Sequence, residues 1–200
     1  MMTPIGAKTK LEKAGEVRIQ AGSVTLSGEL SVPDEATGIV LFAHGSGSSR
    51  FSTRNQYVAR VIRDAGVGTL LFDLLTREEE EIDLRTRHLR FDIALLARRL
   101  VDATNWLAWE IETNHLRPGY FGSSTGGGAA LVAAATLGTK VGAVVSRGGR
   151  PDLAGSKREC GHVPRRCRAR EGSDYCSEKC EKARGETDCS CGHPECQARA

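Results

Sequence analysis

Residues 119–128 read Gly119-Tyr120-Phe121-Gly122-Ser123-Ser124-Thr125-Gly126-Gly127-Gly128 and run on into AALVAAA. A short apolar run meets a glycine-flanked serine, and small, helix-forming residues follow at once. Positions 122–126 have the form G-x-S-x-G. Alone, this pattern turns up by chance in glycine-rich chains. Between a strand and a helix of small residues, it describes a sharp turn that presents a serine. Glycines two places before and after Ser124 remove side chains that would strike the adjoining strand and helix. Ser124 is therefore the candidate nucleophile. The backbone N–H of Thr125, at a helix N-terminus, is placed to meet a developing oxyanion. The competing reading is a plain glycine-rich turn with no chemistry.

Outward from this turn, strands and helices alternate. Residues 17–19 and 24–32 predict a hairpin turned near Gly22. Residues 38–43 (GIVLFA) form a continuous apolar run, as expected of a strand buried on both faces. A helix is expected over 51–65, with Tyr57, Val58, Val61 and Ile62 on one stripe and Arg60, Arg63 and Asp64 facing out. A second buried strand, 67–72, ends at Asp73. Residues 87–111 predict one long amphipathic helix carrying Leu89, Ile93, Leu96, Leu100 and Leu107. A short strand (119–121), an alanine-rich helix (127–137) and a last strand (141–145) complete the pattern. The fold class is α/β, with a mostly parallel sheet flanked by helices. The run 77–81 (REEEE) reads as a solvated helix start or loop with no function attached.

A second loop, His44-Gly45-Ser46-Gly47-Ser48, follows the 38–43 strand. A loop of this type supplies the other oxyanion-hole N–H, here that of Gly45. His44 is then a structural, loop-ordering histidine and not the general base. A phosphate-binding loop is excluded, because no G-K-[ST] follows the glycines. Asp73 has the placement of a functional carboxylate, although such a residue more often caps a turn or pairs with an arginine.

With both loops in place, residues 17–154 resemble the α/β-hydrolase fold, and most closely its dienelactone hydrolase-related branch. The segments that carry the resemblance are IVLFAHGSGSSR, GTLLFDLLT, GYFGSSTGGGAALVAAA and VGAVVSRGGRPDLA. It implies a small ester or lactone substrate. Dienelactone hydrolase itself uses a cysteine nucleophile, where this chain has Ser124. The family places its catalytic acid after the next strand and its histidine after the last one, whereas this chain has neither strand after Ser146-Arg147-Gly148-Gly149-Arg150. The remaining body histidines, His44, His88 and His115, are poorly placed for the base. Asp152 follows the last body strand, but an acid without a base does little. The expectation is a nucleophile and oxyanion hole without proton-transfer machinery, so whether this is an enzyme stays open. The alternative is an active serine esterase whose base comes from the tail or a second subunit. The 141–145 strand is expected at a sheet edge, where it would be covered by the tail, pair with a second copy as a homodimer, or aggregate.

The composition changes abruptly at residues 155–157. All seven cysteines lie between Cys160 and Cys196, and His162 and His193 share that window. Apolar residues nearly vanish there, so the segment needs a staple in place of a core. Its candidate ligands are Cys160, His162, Cys167, Cys176, Cys180, Cys189, Cys191, His193 and Cys196. Thiolate and imidazole suit Zn²⁺ and other soft or borderline ions such as Cd²⁺ or Cu⁺. Nine ligands exceed the four of one tetrahedral zinc, and the Cys189-x-Cys191 pair favours a bridged cluster. In YCSEKC (175–180) and CSCGHPEC (189–196) the tail is similar to bacterial metallothioneins. That resemblance implies a further cysteine in the first motif, where Arg165 stands here. The rival is an interaction-type zinc module that binds nucleic acid or protein through RRCRAR (165–170). A fusion with no integrated function is the third reading.

The expected organisation is an N-terminal extension (1–15), a hydrolase-like domain (16–155) and a cysteine-rich metal-stabilised tail (156–200). The chain has 200 residues and a net charge of +3, divided as +1 before Ser156 and +2 from there on. Neither part has the basic excess of a dedicated nucleic-acid binder. Residues 1–13 have no apolar core of a secretory signal, and 126–145 is too interrupted to span a membrane. A cytoplasmic location is expected, and a reducing compartment favours clustered cysteines as metal ligands over disulfides.

Overall fold

The computed structural model describes residues 12–157. All nine candidate metal ligands, Cys160 to Cys196, lie outside the described residues, as does most of the N-terminal extension. The chain divides into two units, Met1–Arg150 and Pro151–Ala200. The described part of the second is the 3-10 turn Pro151–Lys157, which contains Asp152.

The first unit is built on a six-stranded mixed sheet. Strands β1 (Glu12–Ala21) and β2 (Val24–Pro33) form the expected antiparallel hairpin, and Gly22 turns it at a φ of +61°. β1 thus takes in residues 12–15, which the sequence reading gave to the extension. β2 pairs antiparallel with β4 (Gly68–Phe72); β4, β3 (Gly38–Ala43), β5 (Arg117–Ser123) and β6 (Val144–Arg147) then run parallel. The spatial order is β1-β2-β4-β3-β5-β6.

Helices cover both faces, as a parallel sheet requires. Tyr120 and Phe121 are neighbours on β5 and so point to opposite faces. The Tyr120 hydroxyl shares a 2.7 Å hydrogen bond with Thr104 of α3 (Ile93–Trp109), and burial pushes its pKa up to about 12. Phe121 packs on the other face with Phe42, Leu71 and Ala59 of α1 (Thr53–Asp64). Helix α4 (Thr125–Leu137) packs on α3 and β5; its buried surface is glycine and alanine except for Thr125 and Val132, so it approaches closely. Each large side chain buried in these layers contributes about 1.5–3 kcal/mol.

Three elements depart from the sequence reading. On α1, the buried positions are Asn55 and Ala59 with half-buried Val58 and Ile62, while Tyr57 and Val61 are exposed. The apolar stripe is narrower than the residue types suggest. The helix expected over 87–111 is interrupted. Residues 77–86 form their own helix, α2 (Arg77–Thr86), which stops where Arg87 turns left-handed at φ +57°. Asp83 then accepts the N–H groups of Leu89 (2.8 Å) and Arg90 (3.2 Å), and Asp92 starts α3 by capping Leu95 N–H at 2.9 Å. Two aspartates therefore take the amides that a continuous helix would use. The strand expected at 141–145 is shifted: bonds to β5 begin at Gly142 (N–H to Pro118 O, 2.7 Å), but regular strand runs from Val144 to Arg147.

Candidate active site

β5 ends at Ser123 and α4 begins at Thr125, leaving Ser124 alone at the corner with φ +50° and ψ −125°. A non-glycine residue in that conformation stores roughly 1–3 kcal/mol of backbone strain. What holds it is contact without room to relax. An added Cβ on Gly122 would lie 2.6 Å from Gly127 Cα, and one on Gly126 would run into the carbonyl oxygens of Ala43 and His44. The Ser124 carbonyl accepts from Gly127 N–H at 3.0 Å and from Arg150 N–H at 3.1 Å.

The loop after β3 sits directly against this corner. The position a Cβ would take on Gly45 is 3.1 Å from Ser124 Cβ. Ser46 N–H donates to Thr125 Oγ1 at 3.0 Å, and Ser48 N–H donates to Gly45 O at 3.1 Å. His44 is 8% exposed, and both ring nitrogens are engaged. Nε2 accepts Leu74 N–H at 3.2 Å, which leaves the proton on Nδ1 to donate to Gly45 O at 3.1 Å. Burial holds its pKa below 6.5, with Gly45 O and the Asp73 charge opposing. A neutral ring with both nitrogens committed orders the loop and is not free to take a proton.

Asp73 is tied to Arg50, accepting Arg50 N–H at 2.8 Å and forming an ion pair with the guanidinium. The pairing reading of this carboxylate therefore holds. His88 is exposed and hydrogen-bonded to Thr86 Oγ1 at 2.7 Å, and His115 precedes β5 at the end of the sheet away from Ser124. Among the described residues, no histidine other than the committed His44 comes to the corner.

A cavity of about 330 Å³ opens beside the two loops, lined by Gly45 to Ser49 and Thr125 on one side and by α2 on the other. Leu74, Leu75, Leu84 and Leu96 give it apolar wall; Glu80, Asp83 and Arg90 give it charge. Asp83 and Arg90 neutralise one another in a 2.5 Å ion pair. Desolvation first, and then the Asp73 charge, push the Glu80 carboxyl above its ordinary value.

Comparison with known proteins settles the fold. A dienelactone hydrolase from Anabaena variabilis superposes with a TM-score of 0.70 and 67% sequence identity over 72% of this chain and 66% of that one. The fold is that of a dienelactone hydrolase-like α/β-hydrolase. A dienelactone hydrolase-like promiscuous phosphotriesterase from metagenomic libraries shares it at 21% identity and a TM-score of 0.55, covering 69% of this chain and 59% of that one. Two Mycobacterium tuberculosis proteins (strains CDC 1551 and H37Rv), each named "Putative phosphoribosyl transferase", are 62% identical over 140 residues. Those residues are 70% of this chain, which spans only 31% of the length of those curated relatives. No family model matches the chain.

The candidate site contains features the sequence reading passed over. Residues 77–81, expected as a solvated helix start or loop, do open helix α2, but they are not merely solvated: Glu79 pairs with buried Arg99 at 2.8 Å. The signal was present: Thr76-x-x-Glu79 is a capping box, with Glu79 N–H to Thr76 Oγ1 at 3.2 Å and Thr76 N–H to Glu79 Oε2 at 2.8 Å. No signal of spacing indicated the Thr125 side chain as a bridge between the loops.

Proposed function

We propose that residues 12–150 are the acyl-binding part of a serine hydrolase site acting on a small ester or lactone. Ser124 is the nucleophile, and the backbone N–H groups of Thr125 and Gly45 form the oxyanion hole. The observation that carries this reading is the strained corner at Ser124 packed against Gly45, with a partly apolar cavity lined by Gly45 and Thr125. The carbonyl oxygen would lie between the two N–H groups and the acyl group in the cavity. Attack by Ser124 requires that its proton go to a base. His44 is committed elsewhere, so the base must lie outside the described residues, and without it turnover is slow.

The test is hydrolysis of a p-nitrophenyl ester series by the full chain, by Ser124→Ala, and by His162→Ala combined with His193→Ala. Steady-state turnover well below about 1 s⁻¹, the low end for enzymes, is expected; the acyl transfer that remains should be lost in Ser124→Ala, and an equal rate in that variant would show that Ser124 is not the nucleophile. Wild-type turnover at or above that rate and dependent on Ser124 would show that the base is present. Loss of that turnover in the histidine double variant, with folding intact, would place the base in the tail.

The cysteine-rich segment we propose as a metallothionein-like site for two to three Zn²⁺ or Cd²⁺ ions, held by Cys160, His162, Cys167, Cys176, Cys180, Cys189, Cys191, His193 and Cys196. The donor set supports this: seven thiols and two imidazoles in 37 residues. The ligands must lose protons to bind, so affinity should weaken as pH falls. Native mass spectrometry of the full chain titrated with Zn²⁺ decides it. Uptake of no more than one equivalent would instead fit a single zinc module.

A further inference from the structure

We propose that Thr125 positions the oxyanion hole through its side chain as well as lining it with its backbone: the hydroxyl clamps the 44–48 loop so that Gly45 N–H and Thr125 N–H face one point. This rests on the hydrolase reading above. Ser46 N–H donates to Thr125 Oγ1 at 3.0 Å, joining two loops 79 residues apart in the chain. Thr125 is 2% exposed, so water is poorly placed to substitute for that hydroxyl.

The loop hangs from two anchors, one on each side of Gly45. His44 is held by Leu74 N–H through Nε2, and Ser46 is held by Thr125. Gly45 lies between them, where an added Cβ would sit a tight 3.1 Å from Ser124 Cβ. The first anchor fixes the loop to the β4 side of the site. The second fixes it to α4, the element that supplies the other oxyanion donor. Losing the second anchor would free Gly45 to move relative to Thr125 N–H while leaving both donors chemically intact. Catalytic hydrogen bonds are sensitive to such displacements: about 1 Å of misplacement costs on the order of 100-fold in rate, and loss of one oxyanion donor costs about 100- to 1,000-fold.

The experiment compares Thr125→Val, which keeps size and branching but loses the hydroxyl, with Thr125→Ser, which keeps the hydroxyl. The reaction is single-turnover phosphonylation of the full chain by a fluorophosphonate. Ser124 Oγ bonds to phosphorus, the P–F bond breaks, fluoride leaves, and the hydroxyl proton goes to the buffer. Mass spectrometry of the peptide containing Ser124 reads the adduct, so the tail thiols do not interfere. Thr125→Val should lower the limiting rate about 10- to 100-fold with the half-saturating reagent concentration nearly unchanged. Thr125→Ser should stay within about threefold of wild type, because the clamp remains. Amide hydrogen exchange should speed at Ser46 in Thr125→Val alone.

Equal rates for wild type and Thr125→Val overturn the proposal, and so does a Thr125→Ser variant as slow as Thr125→Val. Either result leaves the hydrolase reading standing if Ser124→Ala abolishes the adduct. If the wild type forms no adduct at Ser124, the hydrolase reading fails and this inference falls with it. Should Thr125→Val not fold, Thr125→Ala, which also lacks the hydroxyl, takes its place in the same comparison of rate and Ser46 exchange.

Discussion

The amide N–H of Arg150 donates to the carbonyl oxygen of Ser124 over 3.1 Å, so the segment leaving the edge strand β6 is fastened to the elbow. The packing around this bond is equally close. A Cβ on Gly127 would lie 2.8 Å from Gly149 Cα and 3.0 Å from Ser146 Oγ. The corner at Ser124 is therefore held from three directions: by β5 and α4 in the chain, by the 44–48 loop, and by residues 146–150. Its strain persists because none of the three can give way alone.

The first prediction concerns the tightest of the contacts made with backbone. Gly126→Ala should destabilise the folded chain by about 2–3 kcal/mol, because its Cβ meets the backbone oxygens of Ala43 and His44. Backbone is displaced here, and no flexible side chain is available to move aside. Urea denaturation measures the effect, and an unchanged midpoint would mean that the two loops are not packed as described.

A second prediction isolates the strain itself. Ser124→Gly should raise stability by about 1 kcal/mol, the relief of a positive φ partly offset by the greater freedom of glycine in the unfolded chain. Ser124→Ala keeps a Cβ and should gain nothing of this kind. If both variants melted like the wild type, the +50° conformation would carry no strain. The pair also separates backbone from hydroxyl, since each removes the nucleophile.

The core of this arrangement was legible in the sequence for a physical reason. Parallel strands buried on both faces must be apolar throughout, so Gly38–Ala43 and the strand before Asp73 stood out by composition. The elbow was legible because only glycine fits at 122 and 126. Helix α2 was legible only as a helix start or loop at 77–81, with neither its length nor its role, because its stability comes from capping and ion pairs at Thr76, Glu79 and Asp83 and hardly from an apolar stripe. The helical period therefore seemed to begin at Arg87, where the chain actually turns left-handed. The Ser46–Thr125 bridge was beyond reach for a different reason: it joins residues 79 apart through a backbone amide, which leaves no residue-type signature.

Stability should depend on pH through His44. Its pKa in the folded chain lies below the ordinary 6.5, chiefly because burial disfavours the charged ring. Above pH 6.5 both states are neutral there and the contribution is complete. Below it the unfolded chain takes up a proton that the native state refuses, so stability falls, at up to about 1.4 kcal/mol per pH unit, until the folded pKa is passed. Denaturation of wild type and His44→Gln at pH 7.5, 6.5 and 5.5 isolates this residue from the carboxylates common to both. The wild type should lose more stability than the variant across that range. Parallel losses would show that His44 takes up its proton as readily folded as unfolded.

The last prediction concerns the free side of β6. Among the described residues β6 pairs only with β5, and its outer backbone groups face no strand. Val145 stands in register with Phe121 and is 53% exposed, while Phe121 is only half buried. On that face α1 packs against β2 and β4. An apolar edge strand beside a thinly covered sheet face invites pairing with a second copy of the chain, and a lysine there opposes it by placing a charge at the joint. Val145→Lys should shift the chain toward monomer in light scattering and raise the concentration at which it precipitates. Elbow chemistry should persist, because the Val145 side chain lies on the α1 face and makes no bond to Ser124. If wild type and Val145→Lys are both stable monomers at high concentration, association through β6 is wrong. If both associate equally, the contact lies on another surface.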